Sequence, residues 1–217
     1  MDRSIGNLRN GLKKLGVHHN TLVWFTSDNG GLPRFDPPTT GGLRGFKGSM
    51  YEGGIRVPAI IEWPAGIRKS HITDYPAGAV DIFPTLAKVA GLKKSTMLKP
   101  QDGQNLSKLF SQKIGQRKKP LPFKSRGRIA LVDNNYKMLL LPSNGEMKYE
   151  LYNLHKDTSE QNNLYKKEPK IAKRLQKKLM RINASVTASV NGHDYPESKV
   201  KKQPPRTFWS EINSYKK

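Results

Sequence analysis

The chain has 217 residues, no cysteine, 39 lysines and arginines against 17 aspartates and glutamates, and a formal net charge of +22. Disulfides and thiolate metal sites are thereby excluded, and no apolar stretch approaches the roughly 20 residues of a membrane span. With 35% hydrophobic residues and a mean hydropathy of −0.70, the core is thin, and the length suits one or two domains.

In chain order, Ile5, Leu8, Leu12 and Leu15 share one helical face, and Gly16 is placed to stop that helix. No signal peptide opens the chain on this reading. Thr21 to Phe25 is a short β-branched and aromatic run, which predicts a strand buried on both faces. Asp28 and Asn29 then fall just past its carboxyl end, where open α/β sheets place ligand-binding groups. A carboxylate followed by an amide carbonyl supplies two hard oxygens, suited to Ca²⁺ or Mg²⁺ rather than zinc. Asp-Asn-Gly-Gly is equally a good turn. Lys47 follows in Gly-Gly-Leu-Arg-Gly-Phe-Lys-Gly-Ser, where small neighbours let an anion reach backbone amides and an ammonium together. A solvated loop lysine is the competing reading. The G-x-x-x-x-G-K-[ST] pattern of a nucleotide-binding loop is absent.

A second strand is predicted near 59–62, and a helix over 81–90 with Asp81 as its cap and Pro84 in its first turn. Residues 93–124 read as a connection holding a short helix near 106–110. Residues 128–132, 136–141 and 148–152 read as strands of a small antiparallel sheet, with turns at Asp133-Asn-Asn and Ser143-Asn-Gly. Ile171, Leu175, Leu179 and Ile182 make an apolar stripe on a basic helix, expected to pack on that sheet. The five histidines show no metal-ligand spacing.

Joined together, Thr26-Ser-Asp-Asn-Gly, Leu43-Arg-Gly-Phe-Lys-Gly-Ser-Met-Tyr-Glu-Gly-Gly-Ile-Arg-Val-Pro58 and Trp63-Pro64 resemble the later motifs of the type I sulfatases, a family of sulfuric ester hydrolases. Asp81-Ile-Phe-Pro-Thr-Leu and Glu150-Leu-Tyr-Asn-Leu-His-Lys-Asp157 continue the resemblance. Asn191-Gly-His-Asp-Tyr-Pro196 is similar to members of the N-acetylgalactosamine-6-sulfatase type. The resemblance implies that Asp28 and Asn29 are calcium ligands, that Lys47 binds the sulfate group, and that Glu52, Gly53, Gly54 and Arg56 are structural.

The family nucleophile is a formylglycine made within Cys/Ser-X-Pro-X-Arg. These 217 residues contain neither a cysteine nor the serine form of that motif. The family's Asp-Asp calcium ligands, upstream lysine and histidines are unmatched as well. The chain therefore resembles the carboxyl-terminal part of a sulfatase, and Met1 is expected to correspond to an internal methionine. Members are usually exported.

The expected architecture is α/β: an incomplete alkaline-phosphatase-like sandwich over 1–110, a small α+β unit with an antiparallel sheet and a helix over 111–185, and a basic, poorly ordered tail over 186–217. Expected partners are a sulfate ester and sulfated polysaccharide. Residues 1–91 carry 11 basic and 7 acidic residues, whereas residues 92–217 carry 28 and 10. This asymmetry supports a second reading, a noncatalytic protein that binds polyanions. No recognised nucleic-acid motif accompanies the charge, which disfavours nucleic acid.

Overall fold

The structure is a computed structural model that describes residues 1–33, 35–97 and 99–193. The segment 194–217, with the end of the Asn191–Pro196 motif and most of the expected tail, lies outside the described residues.

Helix α1 (Asp2–Lys14) forms where the apolar period places it, with Asp2 in its first turn and Lys13 and Lys14 in its last. Gly16 adopts φ 72°, and the Val17 N–H closes back on the Leu12 carbonyl at 3.1 Å, a glycine stop that a Cβ would strain. Open space surrounds that position, so strain alone sets the effect. Gly16→Ala is expected to lower unfolding free energy by about 1–2 kcal/mol in urea titration. The apolar face itself is not buried as a helix on a core would be: Leu8 is 51% exposed and Leu15 75%. Arg9 ties the helix down instead, pairing with Glu62 at 2.7 Å.

Strand β1 (Val23–Thr26) pairs antiparallel with β2 (Ala59–Glu62), Trp24 opposite Ile61. The expectation of burial on both faces is not met. β1 is only partly buried and Thr26 is exposed, because β2 is its single strand neighbour among the described residues. Between these strands lies the glycine-rich segment, ending in the one-turn helix α2 (Glu52–Ile55).

Helix α3 (Ile82–Val89) carries Pro84 in its first turn and Gly91 beyond its end at φ 73°. Asp81 stands at its N-cap position, where the sequence puts it, but its side chain makes no capping bond to the helix. Its carboxylate accepts instead from the N–H groups of Gly78 at 2.9 Å and Gln104 at 2.8 Å, and from both ends of the Arg117 guanidinium at 2.7 and 2.9 Å.

The second half is a meander, β3 (Leu121–Ser125), β4 (Arg128–Asp133), β5 (Tyr136–Ser143) and β6 (Glu146–Asn153), in sequential antiparallel order. Asn144 and Gly145 both have positive φ, as a two-residue hairpin turn requires. β3 falls within and just beyond the stretch 93–124 expected as a connection, and it is an edge strand. Pro122 cannot donate to a ladder, a position tolerated only at an edge.

The sheet is covered on both faces. Ile129, Leu131, Met138 and Leu151 pack with Ala172, Leu175 and Leu179 of α4 (Pro169–Val190). Ala130, Leu139 and Tyr152 point the other way, onto Met50 and Tyr51 of the glycine-rich segment. The doubly buried strand is therefore β4 rather than β1. α4 runs to Val190, so residues 186–190, placed by sequence in the tail, are helical.

Candidate functional site

Asp28 and Asn29 stand two and three residues beyond the end of β1, at its carboxyl edge. The Gly30 N–H donates to the Gly54 carbonyl at 2.9 Å, and the Lys47 N–H donates to the Gly31 carbonyl at 2.7 Å. These two backbone bonds bring the Lys47 loop against the Asp-Asn-Gly-Gly turn, so the structure juxtaposes the three residues singled out by sequence.

Close backbone approach explains the glycines. A Cβ on Gly30 would run into the Gly53 carbonyl oxygen, one on Gly53 into the Gly45 carbonyl oxygen, and one on Gly54 into that of Ser49. Backbone thus packs directly on backbone at Gly30, Gly53 and Gly54.

The donor groups face outward. Asp28 is exposed, and its carboxylate has no hydrogen bond or ion pair among the described residues. The Asn29 amide donates from Nδ2 to the Gly30 carbonyl at 3.2 Å, leaving Oδ1 as the free acceptor. Two hard oxygens on consecutive residues fit part of a calcium shell, which takes six to eight oxygens. No cluster of three His, Cys, Asp or Glu side chains that could hold a metal occurs among the described residues. Lys47 is exposed, and its ammonium has no ion pair among the described residues.

Sequence reasoning did not find what fixes this loop. Glu52, Lys137 and Glu160 form a buried charge cluster: the Lys137 Nζ lies 2.9 Å from Glu52 Oε1 and 2.8 Å from Glu160 Oε1. The second contact is an ion pair without hydrogen-bond geometry, since Glu160 Oε1 has no hydrogen-bond partner. Glu160 Oε2 accepts from the Glu52 N–H at 2.6 Å. Burial pushes the Glu160 carboxyl above its ordinary value, with Lys137 pulling against it. Arg56, expected to be structural, reaches Glu52 at 3.7 Å.

A second clamp lies beside it. Arg44 donates to the Tyr152 hydroxyl at 2.9 Å and the Glu160 carbonyl at 2.8 Å, with its guanidinium 3.8 Å over the Tyr51 ring. The Tyr51 and Tyr152 hydroxyls both donate to Glu150, at 3.0 and 2.7 Å. Burial and the Glu150 carboxylate push the Tyr51 phenol up to about 12. The two hydroxyls therefore remain donors. The signal available in sequence was Glu150-Leu-Tyr, whose alternation puts Glu150 and Tyr152 on one face of β6.

Fold and site thus define a mixed α/β chain with oxygen donors just past a strand's carboxyl end and an exposed lysine on the glycine-rich loop held beside them. Residues 1–92 match the family model described as Sulfatase. A sulfatase of Formosa agariphila is 31% identical over 193 residues, covering 78% of this chain and 34% of that protein. Human arylsulfatase A is 36% identical over 152 residues, 63% of this chain and 28% of the relative. The solved structure of Ps i-CgsB in complex with k-i-k-neocarrahexaose superposes with a TM-score of 0.70 at 27% identity, over 93% of this chain and 43% of that one. The chain belongs to the sulfatase family, matches part of its members, and has their alkaline-phosphatase-like fold. It spans about a third of the length of the Formosa relative and less of arylsulfatase A.

Proposed function

We propose that this chain carries the calcium- and sulfate-holding part of a sulfuric ester hydrolase site, with Asp28 and Asn29 as metal ligands and Lys47 on the sulfate group. We propose further that the 217 residues alone do not turn over a sulfate ester. The observation that carries the first statement is the 2.7 Å bond from the Lys47 N–H to the Gly31 carbonyl, which sets the lysine loop beside the two oxygen donors. The absence of cysteine and of Ser-X-Pro-X-Arg from these residues supports the second.

A bound calcium ion would supply positive charge for the oxyanion that develops at sulfate. Asp28 contributes a carboxylate with no competing partner among the described residues, so no internal ion pair has to break before a metal binds. The Asn29 amide is oriented by its Nδ2 contact to Gly30, which leaves Oδ1 to bind. Lys47 contributes an ammonium to a sulfate oxygen. Its backbone is fixed by the Gly31 contact, which limits the freedom lost when the anion is held. The carbohydrate bound by Ps i-CgsB supports a sulfated polysaccharide as the substrate class.

Calorimetric titration of the chain with calcium tests the reading. The Asp28→Ala, Asn29→Ala double variant is expected to weaken calcium binding by more than about tenfold, the smallest loss seen when even an outer partner of a metal ligand is removed. Lys47→Ala should keep calcium affinity and lose binding of an aryl sulfate. Unchanged calcium affinity in the double variant would refute the ligand assignment. Calcium-dependent hydrolysis of an aryl sulfate by the pure chain would overturn the claim of inactivity.

A further inference from the structure

On α4, successive residues turn by about 100°, which separates the helix into two opposed arcs. Ala172, Leu175 and Leu179 face the sheet. Lys170, Lys173, Lys177 and Arg181 fall on the opposite arc and are all exposed. From Pro169 to Val190 the helix contains no acidic residue. Asp133 pairs with Arg174 at 3.2 Å and Lys178 at 2.6 Å, at the border between the arcs. The four central cations have no ion pair among the described residues.

The row continues beyond the helix. Lys124 on β3 reaches the Thr187 hydroxyl at 3.2 Å, so the hairpin edge extends the same surface. From Lys170 to Thr187 the helix rises about 25 Å, so the cations recur about once per turn along a straight line. An ordinary solvated helix intersperses both signs for i, i+4 support. A one-signed row held by a rigid helix favours a linear polyanion, whose charges also recur along an axis.

We infer that the outer face of α4, with Lys124, is a binding surface for a sulfated polysaccharide that works independently of Lys47. Two observations favour this occupant over nucleic acid. The row has no aromatic side chain on which a base could stack. Three of its four central cations are lysines, compact point charges suited to sulfate groups, rather than the bidentate forks that read base edges. On a sulfatase-family chain, such a surface would keep a polymeric substrate near the site between encounters.

Binding to dextran sulfate, unsulfated dextran and a single-stranded oligonucleotide, measured across salt concentrations, tests the inference. The variant Lys170→Gln, Lys173→Gln, Lys177→Gln, Arg181→Gln should bind dextran sulfate at least tenfold more weakly and with a shallower salt dependence. The milder Lys173→Gln, Lys177→Gln pair should show a smaller loss, and circular dichroism checks that each variant is folded. A control that removes four exposed cations elsewhere, Arg3, Lys13, Lys14 and Lys69→Gln, should bind nearly as the parent does. The quadruple α4 variant should keep the parent's affinity for calcium and for an aryl sulfate, which separates this surface from the proposed sulfate cradle. Equal loss in the control would mean that net charge, not this face, does the binding, and would overturn the inference. Tighter binding of the oligonucleotide than of dextran sulfate would overturn it as well.

Discussion

Arg117→Met is expected to lower the stability of the chain by about 3–5 kcal/mol, the usual consequence of removing one partner from a buried ion pair. The Arg117 and Asp81 side chains are wholly inaccessible and meet at 2.7 Å. Arg117 also donates to the backbone carbonyls of Pro76 and Lys119. Asp81 in turn holds the N–H groups of Gly78 and Gln104. One guanidinium–carboxylate contact thus gathers three separate stretches of chain, Pro76–Gly78 before α3 and those at Gln104 and at Arg117–Lys119 in the long connection after it. Methionine fills similar volume but leaves an uncompensated carboxylate in the interior. Adding Asp81→Asn removes that charge while keeping one acceptor oxygen, so the double variant should regain part of the loss. Full recovery is not expected, because an amide cannot satisfy both backbone N–H groups as the carboxylate does. Urea unfolding of parent, single and double variants measures all three, and a loss below about 1 kcal/mol for Arg117→Met would contradict the account.

This contact shows where sequence reading stopped. Asp81 before Ile-Phe-Pro has the local pattern of a helix cap, and local patterns are what a sequence displays. Its real partner stands 36 residues away, in a lysine- and proline-rich stretch with no periodicity. The same limit hid Lys137. A lysine in an alternating strand reads as solvent-facing, yet the glycine-rich segment covers that face of the sheet, and Lys137 is fully buried. By contrast, β4, β5 and β6 were legible because Asp133-Asn-Asn and Ser143-Asn-Gly punctuate period-two runs. Asp28, Asn29 and Lys47 stand out from sequence as candidates on chemistry alone, since oxygen donors and a lysine among glycines can be recognised without tertiary context. What sequence could not supply was the orientation of the loop, which depends on Gly54, Arg44 and Glu160.

Lys137→Met should cost about 3–5 kcal/mol as well, and it should do so in a pH-dependent way. The lysine lies between two buried carboxylates, Glu52 at 2.9 Å and Glu160 at 2.8 Å. The folded-state pKa of Glu160 is raised above the ordinary 4.5, first by burial. A raised carboxyl means that the folded state binds more protons than the unfolded chain in the window above that value. Its contribution to stability is therefore full below about pH 4.5 and is lost as pH rises through the folded value. Removing Lys137 deletes the charge that pulls Glu160 down, so the window widens upward. Lys137→Met should accordingly lose more stability near pH 8 than near pH 5. Glu160→Gln is the informative counterpart. It keeps an acceptor for the Glu52 N–H, leaves Lys137 paired with Glu52, and removes the desolvated charge, so its effect should be about 1 kcal/mol or less. Relative to the parent, Glu160→Gln should become more favourable as pH rises. Denaturation midpoints at the two pH values decide the matter. If Lys137→Met and Glu160→Gln are equally damaging and flat with pH, the cluster holds the loop by packing alone. If they diverge as described, the charge triad joins the Lys47 loop to the sheet, and the geometry at Asp28 and Asn29 depends on a lysine 90 residues further along the chain than Lys47.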